Sequence, residues 1–397
     1  MNALFLLYNI ITTSKFLHIT DIHYDPLYST NSPTKCVLGS TGLGCCHKYD
    51  LPLKNNIPAS KWGDYNCDSP FKLVDETLNW ISNNFNNSID FIIYTGDSAS
   101  HHDFSNSPSI IKKSIADINS LFRLYFRKIP IYNNLGNHDT WPIDQTVPLE
   151  YNKLLEFIST LWYQDINKID DMTDINLKKG GYYALDLHNT TKLISFNSIY
   201  YDGHNIFKHE KNLENDPQII WLENTLKNAR ISRQNVWFIS HIFPTAGEST
   251  NEYNSIIKQI IWTYRDIIKY QWWGHSHNDQ FILYQNTDYN NKTSSFSLGM
   301  VGPSIMPDKR FPAFRIYDYN PDTFQLIDYT QYYCNLSKVI LTDNLEYTKQ
   351  YSFKELYNLD GLEVSDFEKL YKGIQNGTYT QKYCKQYPPG YNTCTTN

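Results

Sequence analysis

No stretch of this 397-residue chain is long and apolar enough to cross a bilayer as a helix. Runs of Lys and Arg are also missing, and the net charge is −6. Without a basic patch, neither nucleic-acid polymers nor anionic membrane surfaces are expected partners. The seven cysteines form no C-x-x-C pair, which argues against a zinc knuckle. What remains is a globular chain long enough to bury about 75% of its unfolded surface.

Residues 1–14, "MNALFLLYNIITTS", contain a short apolar stretch followed by small polar residues. That pattern is typical of a signal peptide, although the positive charges that usually precede one are missing. We predict a cleavable signal, with a buried N-terminal strand as the alternative. From the polar C-terminus "YPPGYNTCTTN" we expect no lipid-anchor signal with a hydrophobic tail. The expected location is secreted or lumenal, meaning extracellular or a lysosome- or vacuole-like compartment.

The cysteines favour disulfides in such a compartment. Cys384 and Cys394 lie close together in a turn-rich tail and are predicted to pair. A bond between Cys36 and Cys67 would close a loop worth roughly 3–4 kcal/mol on the chain-entropy estimate. The partners of Cys45, Cys46 and Cys334 stay open. The chain has N-x-S/T sequons at about the frequency that chance gives, so they add little weight to glycosylation; they begin at Asn86, Asn189, Asn291, Asn335 and Asn376.

The order of the predicted elements indicates an α/β protein. Short runs rich in Ile, Tyr, Phe and Val alternate with helix-like segments such as "SPFKLVDETLNWISNNF", which predicts a layered sheet. Beyond residue 280 the runs become extended and antiparallel, and residues 341–397 predict a small helical C-terminal subdomain. We therefore expect a catalytic domain over residues 15–340.

Five of the predicted strands end in residues that can bind a metal. Carboxyl ends of strands in an open α/β sheet are where reactive groups collect. A lone Asp after a strand is usually a turn former, a lone His such as His241 is more often a core residue, and an H-x-H pair arises readily by chance among 12 histidines. Each position alone is therefore a weak signal. The complete ordered set is much less expected by chance, and it comprises Asp21, His23, Asp97, Asn137, His241, His275 and His277. Seven oxygen and imidazole donors suit two divalent ions that share a carboxylate.

These blocks resemble the calcineurin-like metallophosphoesterase superfamily. The superfamily pattern of D-x-H, G-D, G-N-H-D or G-N-H-E, H and G-H-x-H appears here as "DIH", "GD", "GNHD", "SH" and "GHSH". The segments "HITDIHYDP", "CDSP", "TGDSASH" and "LGNHDTWPIDQ" are similar to the acid sphingomyelinase-like phosphodiesterase branch. The resemblance covers most of residues 16–340. It implies a β-sandwich of two mixed sheets flanked by helices.

The resemblance also implies roles for the site residues. Asp21, His23, Asp97 and His277 would hold one divalent ion, most commonly zinc, and Asp97, Asn137, His241 and His275 would hold the other. His138 would protonate the leaving oxygen, and Asp139 could orient its ring. His101 matches the position that contacts the substrate phosphate. The match around "CDSP" supports the Cys36–Cys67 pair.

The implied activity is hydrolysis of a small phosphodiester, either a nucleotide or a phospholipid head group. Full acid sphingomyelinases carry an N-terminal saposin domain ahead of these motifs, and here the first ligand is already at residue 21. Sphingomyelin itself is therefore an alternative rather than the first expectation. A phosphomonoesterase on the same fold is a second alternative. An inactive binding module is the third, although it would have no reason to keep every ligand. The sequence predicts nothing about oligomerisation.

Overall fold

The computed structural model describes residues 13–37, 44–101, 107–146, 153–163, 166, 171–207, 213–290 and 292–384. Its twelve strands in this part of the chain are β1 Ser14–Ile19, β2 Ile89–Tyr94, β3 Ile131–Asn133, β4 Tyr183–His188, β5 Thr191–Ser195, β6 Asn235–Ile239, β7 Ile268–Trp273, β8 Gln280–Thr287, β9 Thr293–Val301, β10 Ala313–Tyr319, β11 Leu326–Cys334 and β12 Tyr347–Ser352. The α-helices there are α1 Phe71–Phe85, α2 Pro108–Tyr125, α3 Lys153–Trp162, α4 Asp171–Gly180, α5 Pro217–Ile231, α6 Asn251–Thr263, α7 Leu336–Thr342, α8 Phe353–Tyr357, α9 Val364–Gln375 and α10 Thr380–Cys384.

The strands form two six-stranded mixed sheets, as the resemblance implies. The first has the order β12-β11-β10-β1-β2-β3, and the second has the order β4-β5-β6-β7-β9-β8. β1, β2 and β3 run parallel, and so do β5, β6, β7 and β9. The remaining pairs are antiparallel. The parallel strands therefore deliver their carboxyl ends, and the loops that follow them, to one edge of each sheet.

The alternation of side chains along the strands builds three apolar layers. In β6, Trp237 and Ile239 face the other sheet, while Val236 and Phe238 pack outward under helices. Phe16 of β1 meets Trp237 between the sheets, with ring centroids 5.3 Å apart. Amphipathic helices α1 and α2 cover the outer face of the first sheet, and α5 and α6 cover that of the second.

The C-terminal segment differs in part from the predicted helical subdomain. Helices are present from residue 353 onward, but β12 precedes them and pairs with β11 at the edge of the first sheet. Phe353, Phe367 and Leu370 join the apolar layer between the sheets. This segment thus packs on the catalytic core, and the domain boundary at residue 340 stays a prediction. Strands β4 and β5 were not predicted either.

The predicted bond between Cys36 and Cys67 is wrong. Cys36 bonds Cys45 with Cα atoms 5.7 Å apart, and Cys46 bonds Cys67 with Cα atoms 6.1 Å apart. The left-handed backbone of Cys46, with φ of 75°, lets the two adjacent cysteines reach different partners. Loop length alone could not choose between these pairings.

The other cysteines are only partly covered by the structure. Cys334 is a free, buried thiol in β11. Cys384 is disulfide-bonded, but its predicted partner Cys394 lies outside the described residues, so that pair stays a prediction. Most of the predicted signal peptide, residues 1–12, lies outside them as well. Within the described part of the chain, no helix has the length and apolar character needed to span a membrane.

Candidate metal centre

Strained backbone is concentrated at the predicted ligands. Five of them have positive φ, namely Asp21 (49°), His23 (44°), Asp97 (60°), His275 (72°) and His277 (57°). Such angles are uncommon outside glycine and persist where the surrounding structure forces them, which is typical of functional sites. All five follow directly on parallel strands of the two sheets. The strain therefore marks the edge at which the sheets' loops converge.

Two glycines allow these loops to come together. A Cβ on Gly136 would lie 1.9 Å from Asp97 Oδ1, and a Cβ on Gly274 would lie 2.4 Å from Thr20 Oγ1. No side chain fits at either position without displacing a neighbouring loop. The glycines that precede two of the ligand blocks are thus required by close approach.

The structure brings all seven predicted ligands into one continuous series of donor atoms. Neighbouring atoms in this series are 3.0–3.5 Å apart. In order, the series is Asp21 Oδ1, His277 Nε2, His23 Nε2, Asp97 Oδ2, His241 Nε2, Asn137 Oδ1 and His275 Nδ1. Residues separated by more than 250 positions in sequence meet here through the pairing of the two sheets.

Asp97 lies at the middle of the series. Its Oδ2 is 3.4 Å from His23 Nε2 and 3.1 Å from His241 Nε2, while Oδ1 accepts the backbone N–H of His138 at 2.9 Å. Burial alone would raise the pKa of this carboxyl, but His241 and His23 outweigh burial and hold the pKa well below its usual value. Asp97 is therefore a carboxylate shared by two groups of donors.

The hydrogen bonds at the backs of two imidazoles direct their lone pairs inward. His23 Nδ1–H donates to the carbonyl of Ala99 at 2.9 Å, and His241 Nδ1–H donates to that of Thr95 at 2.6 Å. Each ring thus presents Nε2 to the centre, as metal-ligating histidines do. His23 Nε2 lies 3.0 Å from His277 Nε2, so a proton or a cation has to separate the two nitrogens.

The buried carboxylates of the site favour the presence of positive charge among the donor atoms. Burial would lower the pKa of the His241 imidazole, but the Asp97 carboxylate raises it to about 9. In the metal-free chain a proton therefore satisfies the carboxylates, and a metal ion at Nε2 would replace it. Two groups of donors that share Asp97 fit two divalent ions.

Two acidic residues that the sequence analysis did not assign support this centre. Asn137 Nδ2 donates to Asp144 Oδ1 at 2.7 Å, which turns the amide oxygen toward His241 and His275. Glu248 Oε2 lies 3.1 Å from His275 Nε2, so Nδ1 of that ring faces the site. Asp144 lies in the "LGNHDTWPIDQ" segment that resembles the sphingomyelinase-like branch, which is a signal in the sequence for its role. Glu248 had no signal in the sequence.

His101 lies on the solvent side of the ligands. Its ring stacks on His23 with centroids 3.8 Å apart and is 4.3 Å from the His138 ring. Asp68 holds it twice, accepting Nδ1–H at 2.7 Å and the backbone N–H at 3.0 Å. Burial opposes a charge on His101, but Asp68 outweighs it and raises the pKa of the ring. Asp68 lies in "CDSP", another segment that resembles the sphingomyelinase-like branch, but the sequence predicts no contact with His101.

His138 stands beside the ligands as predicted, but Asp139 does not orient it. Both oxygens of Asp139 accept backbone N–H groups, from Asp97 and Gly136 at Oδ2 and from Ser98 and Ala99 at Oδ1. Nδ1 of His138 has no hydrogen-bond partner among the described residues. Asp139 instead ties the loop after β2 to the loop after β3, because three of these N–H groups belong to the first loop and one to its own.

Comparison with known proteins agrees with this geometry. The model of the calcineurin-like phosphoesterase family matches residues 14–279. The chain belongs to that family. It is 30% identical to sphingomyelinase phosphodiesterase C of Dictyostelium discoideum, over 93% of this chain and 83% of that protein. It is 29% identical to human cyclic GMP-AMP phosphodiesterase SMPDL3A, over 90% of this chain and 78% of that protein.

A longer relative matches as well. Sphingomyelin phosphodiesterase A of Dictyostelium discoideum is 28% identical over 92% of this chain and 61% of that protein. These relatives are phosphodiesterases by name, and the calcineurin-like family acts on phosphoric esters. The resemblance to the acid sphingomyelinase-like branch is thereby confirmed. As a calcineurin-like phosphoesterase, the chain is a hydrolase of phosphoric ester bonds.

Proposed function

We propose that this chain hydrolyses a small phosphodiester at the centre described above. The observation that carries the proposal is the unbroken series of seven donor atoms with Asp97 Oδ2 at its middle. Asp21, His23 and His277 would hold one ion, and Asn137, His241 and His275 the other, with Asp97 shared. When bound, two ions supply a nucleophile at neutral pH and neutralise charge on the phosphoryl oxygens.

Two histidines on the solvent side are placed to act on the substrate. His101 and His138 are adjacent and both lie partly exposed over the ligands, where a phosphodiester would enter. We assign His138 as the proton donor to the leaving oxygen, since it follows the ligand Asn137 but its ring is free of the donor series. His101, fixed by Asp68, would bind a phosphoryl oxygen through Nε2.

The metal is proposed to be zinc. Four imidazoles, one amide and two carboxylates form a nitrogen-rich donor set of borderline softness, which suits zinc better than magnesium or calcium. Oxygen-only sites would favour those harder ions.

The relatives suggest two substrate classes. One is a nucleotide diester, as in the name of the cyclic GMP-AMP phosphodiesterase, and the other is sphingomyelin, as in the names of the sphingomyelin phosphodiesterases. We favour a small phosphodiester that reaches the centre from solution. Sphingomyelin, and a phosphomonoester on the same fold, are the alternatives.

A secreted or lumenal location is proposed with the function. Two disulfides in residues 36–67 are typical of an oxidising compartment. The sequon asparagines in the described part of the chain are exposed, which leaves them accessible to glycosylation: Asn86, Asn189, Asn335 and Asn376.

A metal and substrate panel tests the proposal. Purified protein should contain about two divalent ions by elemental analysis, lose activity on chelation and regain it with Zn²⁺. Initial rates would be compared on a cyclic dinucleotide, sphingomyelin in mixed micelles, bis(p-nitrophenyl) phosphate and p-nitrophenyl phosphate. His241→Ala should be inactive, whereas His188→Ala, a histidine at the far end of β4, should match the parent.

Each result bears on a different part of the proposal. Activity without metal would refute the centre. Hydrolysis of the monoester but of neither diester class would make the chain a phosphomonoesterase. Hydrolysis of sphingomyelin alone would replace the soluble substrate by a lipid.

A further inference from the structure

A buried ion pair lies directly behind the loop that carries His275 and His277. Asp279 immediately precedes β8 of the second sheet, and Arg315 belongs to β10 of the first. We propose that this pair is a tie between the two sheets that positions His277 for the ion it would share with Asp21 and His23. The inference rests on the proposed dimetal function and names the residues that support one of its two ions.

The tie spans the interface at the level of the site. Arg315 lies opposite His18 of β1 in the antiparallel register, and His18 is three residues before Asp21. Asp279 is two residues after His277. The pair therefore connects the His277 loop to the strand next to the one that ends in Asp21 and His23. One ion would draw ligands from both sides of this connection.

The Asp279 carboxylate is held by two strands of the first sheet. Arg315 Nη2–H donates to Oδ1, and the hydroxyl of Tyr351 in β12 donates to Oδ2 at 2.5 Å. Gln331 of β11 accepts Arg315 Nε–H at 3.0 Å, and the guanidinium lies 4.7 Å from the centre of the Tyr329 ring. Arg315 is 1% exposed and Asp279 8%. Side chains of three neighbouring strands thus enclose the ion pair.

The loop needs such external support because it is strained. His275 and His277 both have left-handed backbone, which costs an L residue free energy unless its surroundings hold it. His275 is held by its own N–H to Asp21 and by Glu248. On the other side, Asp308 Oδ2 lies 3.5 Å from His277 Nδ1, and the Asp279 tie holds the chain two residues beyond His277.

Stability alone is a poor explanation for this pair. Burying an ion pair costs a large desolvation free energy, and apolar residues of similar volume often replace such pairs without loss of stability. What the pair supplies is a fixed geometry between two elements. Here that geometry sets the 3.0 Å approach of His277 Nε2 to His23 Nε2.

Calorimetric titration of the metal-free protein with Zn²⁺ tests the inference without using activity. The parent should bind two ions. In Asp279→Asn and Arg315→Lys, one ion should bind about 10–100-fold more weakly, which is typical for loss of an outer support of a ligand, while the other should be unchanged. Tyr351→Phe removes only one hydroxyl and should weaken the same ion by a smaller factor.

The control is another buried aspartate with comparable contacts. Asp216 caps α5 and accepts the hydroxyl of Tyr201 at 2.9 Å. Asp216→Asn should lower stability and leave both Zn²⁺ affinities as in the parent. Should Asp279→Asn not fold, Arg315→Lys, which keeps the charge, and Tyr351→Phe still decide the question.

The possible outcomes distinguish a failure of this inference from a failure of the proposed function. If the parent binds fewer than two ions, the dimetal proposal fails. If the parent binds two ions and the Asp279 and Arg315 variants weaken both equally, or neither, the pair is only structural and the inference is overturned. Selective weakening of one ion, absent in Asp216→Asn, supports it.

Discussion

Replacing Asp139 by asparagine distinguishes between two roles for this residue. It could orient the ring of His138, or it could join two loops by accepting their backbone N–H groups. In the structure its oxygens accept four buried backbone N–H groups, those of Asp97, Ser98, Ala99 and Gly136. An amide offers one oxygen and turns an NH2 group toward the other donors. Two N–H groups then lose their acceptor.

The expected loss of unfolding free energy follows from these two unsatisfied N–H groups. Leaving a buried donor unsatisfied costs about 1–3 kcal/mol, so two of them cost on the order of 2–6 kcal/mol of unfolding free energy. Because Asp139 joins the loops that carry Asp97 and Asn137, the Asp139→Asn variant should also bind both Zn²⁺ ions more weakly. His138→Gln, one residue earlier in the same turn, should change stability much less, since the ring Nδ1 has no partner within the described structure.

The assay is urea unfolding of the metal-free protein followed by tryptophan fluorescence, so that lost metal does not contribute. Linear extrapolation gives the free energy for the parent, Asp139→Asn and His138→Gln. If Asp139→Asn unfolds like the parent and loses only turnover, then Asp139 acts on the His138 ring and the structural role is refuted.

Three further substitutions test single residues of the centre. Asp97→Asn should lower the content of both ions in elemental analysis, and loss of one ion alone would contradict the shared carboxylate. His138→Ala should slow an alkyl diester by about 10²–10⁴ but a nitrophenyl diester only mildly, with metal content unchanged, because only the alkoxide needs a proton to leave. Asp68→Asn should reduce kcat without metal loss. The double variant Asp68→Asn/His101→Ala should be no slower than His101→Ala, and an additive loss would show that Asp68 acts independently of His101.

The resemblance located the centre well because its signal is local. Each ligand lies two to four residues beyond a strand whose apolar run is readable, as in "FIIYTGD", which ends in Asp97, and "VWFISH", which ends in His241. Short strands with a weaker pattern, β4 and β5, were missed. The strand β12 was missed because it is an edge strand, and its run "YTKQYS" has little apolar character.

The supports of the centre could not be predicted in the same way. Asp68 meets His101 across 33 residues of sequence, and Asp139 meets Asp97 across 42. Both acids lie in segments that resemble the family, "CDSP" and "LGNHDTWPIDQ", but the local sequence does not indicate which donors an aspartate in a turn binds. The predicted contact of Asp139 with the His138 ring is not formed, because the carboxylate instead accepts backbone N–H groups of another loop.

By itself, the sequence determined the α/β alternation of elements and the identity of the donors, because both depend on residues close together in the chain. The need for glycine at Gly136 and Gly274 is visible only in the structure, where they approach Asp97 and Thr20. Only the tertiary structure decided the disulfide pairs, the supporting carboxylates and the contact of Asp279 with Arg315. Those contacts depend on how two sheets pack and on backbone conformations such as the left-handed Cys46. A hydrogen bond or a disulfide forms between atoms that are near in space, and in this fold that nearness is set by strand pairing and sheet packing rather than by separation along the chain.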